Sequence, residues 1–182
     1  MLNPSEIDFL KSCIRNVPDF PTPGILFKDV TPLLANPKAR TMVSDGMVSH
    51  YKGQNIQAVA SIEARGFLFG MMLAQELKVP FIPIRKSGKL PYKKITADYD
   101  LEYGKSSIEI HSDAFIQDAK VLIHDDLLAT GGTANAAAKL VQQAGAKLVG
   151  FSFVINLKFL SGEVNLNREY GVEVHSLLNF FE

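Results

Sequence analysis

The sequence predicts an α/β fold, an open, mostly parallel sheet flanked by helices. Residues 58–84 and 120–155 each run strand, helix, strand, and these strands are short apolar runs rich in β-branched residues, without polar alternation. That is the pattern of parallel strands covered on both faces. The length agrees, since 182 residues suit one compact domain, 1–182.

Along the chain, Ser5 followed by Glu6, with Ile7, Leu10 and Ile14 spaced for one face, predicts a capped amphipathic helix over residues 5–17. Phe20-Pro21-Thr22-Pro23-Gly24 excludes helix and central strand, because proline lacks a backbone donor and restricts its predecessor, so Ile25-Leu26-Phe27 leaves a fixed loop. Asn36 before Pro37 opens a helix reaching about Tyr51. The first unit has strands at 58–62 and 80–84 around a helix at 67–77, whose stripe Phe67, Leu68, Met71, Met72 is expected in the core. The second has a strand at 120–123, a helix at 133–143 ended by Gly145, and a strand at 148–155. Between them, residues 86–98 are polar and basic and are expected to form a mobile flap, while 99–110 predicts an antiparallel pair turning near Gly104-Lys105.

Nineteen basic and nineteen acidic residues cancel, so nothing overall advertises a nucleic acid or an anionic membrane. Cys13, the only cysteine, cannot form an internal disulfide, and Glu6, Asp8 and Asp19 replace the basic start of a signal peptide; a cytoplasmic protein is expected. The longest apolar stretch, 66–74, is broken by Gln75 and Glu76, too short to span a bilayer.

The chemistry is concentrated in Val121-Leu122-Ile123-His124-Asp125-Asp126-Leu127-Leu128-Ala129-Thr130-Gly131-Gly132-Thr133, an apolar strand ending in two acids and passing through a glycine loop into a helix. Unpaired N–H groups and the positive dipole end at the helix start, close approach at the glycines, and the hydroxyls of Thr130 and Thr133 suit a phosphate monoester. Asp125 and Asp126 suit vicinal sugar hydroxyls or face a magnesium ion. Together these describe a phosphorylated ribose. A Walker A loop is excluded because no lysine precedes Thr133, and the GxGxxG dinucleotide fingerprint is absent.

This stretch resembles the 5-phosphoribosyl 1-diphosphate (PRPP) motif of the type I phosphoribosyltransferase family. Further motifs match its adenine-specific branch: Asp19-Phe20-Pro21-Thr22-Pro23-Gly24-Ile25-Leu26-Phe27, Glu63-Ala64-Arg65-Gly66-Phe67-Leu68-Phe69-Gly70, Arg85-Lys86-Ser87-Gly88-Lys89-Leu90-Pro91 and Leu101-Glu102-Tyr103-Gly104-Lys105. The resemblance implies the type I phosphoribosyltransferase fold, with an N-terminal hood (1–35) serving the purine and a flexible catalytic flap and hairpin (86–110). It implies transfer of the phosphoribosyl group to N9 of adenine, giving AMP and pyrophosphate, with Mg²⁺ carried by PRPP and no direct protein ligand assigned, in a homodimer. Asp125, Asp126, Ala129, Thr130, Gly131, Gly132 and Thr133 would hold the phosphate and ribose. Arg65, Arg85 and Lys89 would meet the pyrophosphate, with Arg65 and Lys89 catalytic, and Glu102 would help protonate adenine N7. Ala129 replaces an acid common elsewhere in the wider family, as in the adenine-specific branch. Leu26 and Lys28 would present main-chain groups to adenine, with Phe27 on one face and Leu128 on the other.

His50, His111, His124 and His175 have no zinc-site spacing, and His124 is expected to be a modestly perturbed core residue. Three other activities compete: a transferase for hypoxanthine, guanine or xanthine, a non-catalytic PRPP sensor, and a dinucleotide-dependent oxidoreductase. The adenine-type motifs oppose the first, the absence of a basic DNA-binding module opposes the second, and the missing glycine fingerprint opposes the third.

Overall fold

The computed structural model describes residues 2–100 and 105–182, in two compact units, Met1–His50 and Tyr51–Glu182. Glu102 therefore lies outside the described residues.

In the first unit, α1 (Pro4–Ser12) is capped by Asn3, not Ser5: the Asn3 side chain accepts from Glu6 N–H and the Glu6 carboxylate accepts from Asn3 N–H. The helix stops short of Val17 because β1 (Arg15–Pro18) pairs antiparallel with β2 (Leu26–Asp29), taking the backbone that a longer helix would need. The loop joining them is tied by the Asp19 carboxylate, which accepts from Gly24 N–H at 2.8 Å, and Gly24 has φ +88°. The short α2 (Thr31–Ala35) follows, unanticipated from sequence. Asn36 caps α3 (Pro37–Tyr51) as expected, its side-chain Oδ1 accepting from Ala39 N–H.

The second unit contains β3 (Ala58–Ile62), α4 (Arg65–Leu77), β4 (Phe81–Lys86), β5 (Lys94–Asp100), β6 (Lys105–His111), β7 (Lys120–Leu128), α5 (Gly132–Gln143), β8 (Lys147–Leu157), α6 (Gly162–Tyr170) and β9 (Glu173–Phe180). The sheet order is β5-β6-β4-β3-β7-β8-β9. The five strands from β4 to β9 run parallel, and the β5–β6 hairpin adds antiparallel strands at one edge. The hairpin begins at Lys94, not at Tyr99, so much of the segment expected to be a mobile flap is ordered in strand. Neither α6 nor β9 was anticipated.

Side-chain parity assigns the two faces. Ala60, Ile123, Phe151 and Phe153 join the buried alanines of α5 in one core cluster, whereas Ser61 and His124 face α4, where Gly70 approaches them closely. A Cβ on Gly70 would stand 2.4 Å from Ser61 Oγ, so the helix can lie this near the sheet only with glycine there. This reverses one expectation. The buried face of α4 is Gly66, Phe69, Gly70, Leu73 and Ala74, while Leu68 and Met71 are 47% and 49% exposed and Phe67 and Met72 are half-buried. Because α4 carries β3 to β4 and α5 carries β7 to β8 in opposite directions, the order reverses between β3 and β7, where an open sheet receives ligands.

Candidate functional site

Beyond the C-terminal ends of β3 and β7 lie the two segments singled out from sequence. The strand β7 runs on to Leu128, so Asp125 and Asp126 stand within it rather than in a following loop, and both carboxylates lie at the first turn of α4. Asp126 is 3% exposed, and its Oδ2 lies 2.9 Å from Nε of Arg65, the first residue of α4. Asp125 Oδ1 accepts the backbone N–H of Asp126 at 2.8 Å. A Cβ on Gly66 would lie 2.7 Å from that oxygen, so the glycine after Arg65 makes room for the acid. Burial pushes both carboxyls above the ordinary carboxylate range. The charge of Asp126 adds to this at Asp125, and the Arg65 guanidinium opposes it at Asp126.

The glycine loop after β7 leads directly into α5. Gly131, at φ +89°, is the N-cap of α5, and no side chain caps the helix, so the N–H groups of its first turn face the loop. A cavity of about 90 Å³ is lined by Asp125, Leu127, Ala129, Thr130, Gly132 and Thr133, among others. The loop rests on the start of α6: a Cβ on Gly162 would fall 2.2 Å from the Ala129 carbonyl oxygen and 3.0 Å from Leu128 Cδ1. Glu163 accepts from Asn156 and Lys158, fixing this support to the end of β8. Sequence reasoning missed Gly162; its signal is the Ser161-Gly162 pair opening a polar helix, too general to mark a contact with a loop thirty residues earlier.

A second cavity, of about 160 Å³, is bordered by Glu63, Arg65, Lys86, Tyr99, Asp125 and Asp126, among others. Asp125 thus borders both cavities, and Arg65 joins the second to the β3 end. Arg85 is committed elsewhere than expected: its Nε lies 2.7 Å from Glu63 Oε2 and its Nη1 donates to the Lys89 carbonyl at 2.9 Å. It braces the turn instead of presenting a free cation. Lys89 itself is exposed. Tyr99 and Glu63 were not singled out from sequence, since a tyrosine in a strand and an acid at a strand end have ordinary structural uses.

Leu128 is 1% exposed, belongs to the core cluster and also lines the cavity of about 90 Å³. Leu127 beside it is half-buried and lines the same cavity. His124 is fully buried, both ring nitrogens lack a hydrogen-bond partner among the described residues, and burial pushes its pKa down to about 3, far beyond a modest perturbation.

In the first unit, Phe20 meets Phe27 edge to face at 5.1 Å, and Phe20, Ile25 and Leu26 are exposed around the loop. Phe27 is half-buried. Lys28 is 5% exposed, with Nζ donating to the Asn16 side chain at 3.0 Å.

Residues 30–163 match the phosphoribosyl transferase domain family. The chain is 52% identical to the adenine phosphoribosyltransferase of Solibacter usitatus, over 94% of this chain and 97% of that protein. A solved structure of the adenine phosphoribosyltransferase from Rhodothermus marinus superposes with a TM-score of 0.91 at 46% identity, covering 98% of this chain and all of the other. The Saccharomyces cerevisiae enzyme, solved with adenine and an imino-altritol bisphosphate, superposes with a TM-score of 0.88 at 39% identity, over 96% and 99% of the two chains.

Proposed function

The chain belongs to the adenine phosphoribosyltransferases of the phosphoribosyl transferase family, and we propose how its own residues divide the work of forming AMP and pyrophosphate from adenine and PRPP. The observation that carries this reading is the meeting, at the reversal between β3 and β7, of an uncapped helix start flanked by glycines with the Arg65–Asp126 pair.

The 5-phosphate is held at Thr130 to Thr133 by first-turn N–H groups and the threonine hydroxyls. Asp125 and Asp126 accept from the ribose hydroxyls. Breaking the anomeric bond moves negative charge onto the departing pyrophosphate, which Arg65 and Lys89 stabilise, while Arg85 acts indirectly by holding the Lys89 backbone. Glu102 assists at adenine N7. Leu26, Phe27 and the Lys28 main chain contact the base on one side and Leu128 on the other. Residues 1–182 act as one catalytic domain, 1–35 serving the purine and the turn bearing Lys89 serving the diphosphate.

Mg²⁺ fits this site because Asp125, which borders both cavities, offers a carboxylate between the sugar side and the diphosphate side; when bound with PRPP the ion neutralises charge on the leaving diphosphate. A homodimer is supported by the apolar surface of α4 around Leu68 and Met71, and sedimentation would test it. A cytoplasmic location completes the reading; among the described residues no helix is long and apolar enough to cross a membrane.

The test supplies the protein with magnesium, PRPP and equimolar adenine, hypoxanthine and guanine, and identifies nucleotide products by mass. AMP alone with stoichiometric pyrophosphate is expected. IMP or GMP would overturn the base assignment, and PRPP binding without product would favour a sensor.

A further inference from the structure

Glu109 stands on β6 between Ile108 and Ile110, whose side chains enter the core on the opposite face. It is nevertheless 2% exposed. A carboxylate removed from water must be met by donors, and three reach this one: Ser87 Oγ donates to Oε1 at 2.8 Å, Gly88 N–H to Oε2 at 3.0 Å, and Lys94 Nζ to Oε2 at 2.9 Å. Burial would raise its pKa, but these donors outweigh it and hold the group below the ordinary carboxylate range.

All three donors come from the connection between β4 and β5 and its first strand residue. Within it, Lys89 N–H closes onto the Lys86 carbonyl at 3.2 Å across Gly88, whose φ of +82° is open to glycine. The Lys89 carbonyl accepts from Arg85, and Arg85 pairs with Glu63, two residues before Arg65. The turns bearing Lys89 and Arg65 are thus linked through Arg85, and Glu109 anchors the Lys89 turn to the sheet. Stability alone does not call for this acid, since a buried ion pair is often matched or bettered by apolar side chains of similar volume.

We propose that Glu109 is a positioning residue for the pyrophosphate end of the reaction, fixing the Ser87–Gly88 turn so that Lys89 is presented in a single geometry. The proposal rests on the reading of Lys89 as a pyrophosphate contact.

Steady-state kinetics of Glu109→Gln, Lys89→Ala and the double variant test it, in the forward direction and with AMP and pyrophosphate in reverse. Glu109→Gln keeps the shape but loses the charge and an acceptor. It should raise KM for PRPP and for pyrophosphate about tenfold, the loss of a charge-assisted hydrogen bond, with KM for adenine within about twofold. In the Lys89→Ala background the same change should have an effect within about twofold, because its route of action is gone. An equal factor in both backgrounds, or a parallel rise in KM for adenine, would overturn the proposal. Should Glu109→Gln fail to fold, Ser87→Ala, at an exposed site, removes one of the three hydrogen bonds and should give about a threefold rise in the same constants, again suppressed by Lys89→Ala; no rise would overturn it. If Lys89→Ala alone leaves both constants unchanged, the assignment of Lys89 fails and this proposal with it. An impaired Lys89→Ala beside a silent Glu109→Gln defeats only the role of Glu109.

Discussion

Replacing His124 by valine should make the protein more stable, and increasingly so as the pH falls. The imidazole is wholly buried, and its pKa is pushed from 6.5 to about 3 by loss of water. The unfolded chain therefore binds a proton that the folded chain refuses. For this base the native contribution is undiminished above pH 6.5, declines by about 1.4 kcal/mol per pH unit below it, and levels off near pH 3. Between pH 8 and pH 5 the parent should lose about 2 kcal/mol through this group alone, on the order of 4–8 °C in Tm for a chain of this size. Valine titrates nowhere and suits a central strand, so the variant escapes this loss. At pH 8 it should already gain about 1–3 kcal/mol, because the ring nitrogens have no partner among the described residues. Urea denaturation followed by circular dichroism at pH 8 and pH 5, for parent and variant, gives the four free energies needed. Contributions from the carboxylates largely cancel in the difference between the proteins. Identical pH dependence in parent and variant would refute the reasoning, since it would mean that the folded protein protonates His124 as readily as the unfolded chain does.

Three further outcomes are expected. Gly70→Ala should lower Tm by several degrees, because its methyl would stand 2.4 Å from Ser61 Oγ and 2.7 Å from Ser61 Cβ, an overpacking that costs about 1–3 kcal/mol; an unchanged melting curve would show that α4 can lift from the sheet freely. Thr130→Val should raise the Kd for PRPP about three- to tenfold by removing a hydroxyl donor, with adenine KM unaffected, and isothermal titration would detect equal affinity if the hydroxyl is idle. Glu102→Ala should lower kcat by about a hundredfold or more with little effect on PRPP binding, as expected for loss of a proton donor; undiminished turnover in a single-turnover assay would remove it from the mechanism.

The parallel strands were legible because each carries an apolar run that only a doubly covered strand can bury, and β3 matches its predicted limits. The glycine loop and the helix start after it were legible because glycines and hydroxyls occupy adjacent positions ahead of an alanine-rich apolar period. The orientation of α4 was not, for a physical reason: residues 66–74 are apolar all round, so periodicity cannot select a face, and the buried face is chosen instead by the glycines that let the helix approach. Glu109 and Arg85 were opaque in a different way, since their partners lie twenty or so residues away and are set by strand register. The final strand and helix lack a clean apolar period, and β9 is recognisable as a strand only through its pairing with β8.

The contact of Gly162 beneath the Ala129 carbonyl bears on what a motif can be trusted to mean. The recognisable peptide from Val121 to Thr133 is the upper half of a two-part mould, and the lower half is a residue that no pattern search would retain. A fragment ending after β8 would keep every letter of the motif and lose its floor. Conversely, a protein engineer transplanting the loop into another α/β scaffold would need to import a glycine at the corresponding depth beneath it, because any side chain there would push against the peptide that shapes the cradle. On the proposed assignment the phosphate cradle is therefore inherited from two separated parts of the chain, and only one of them announces itself.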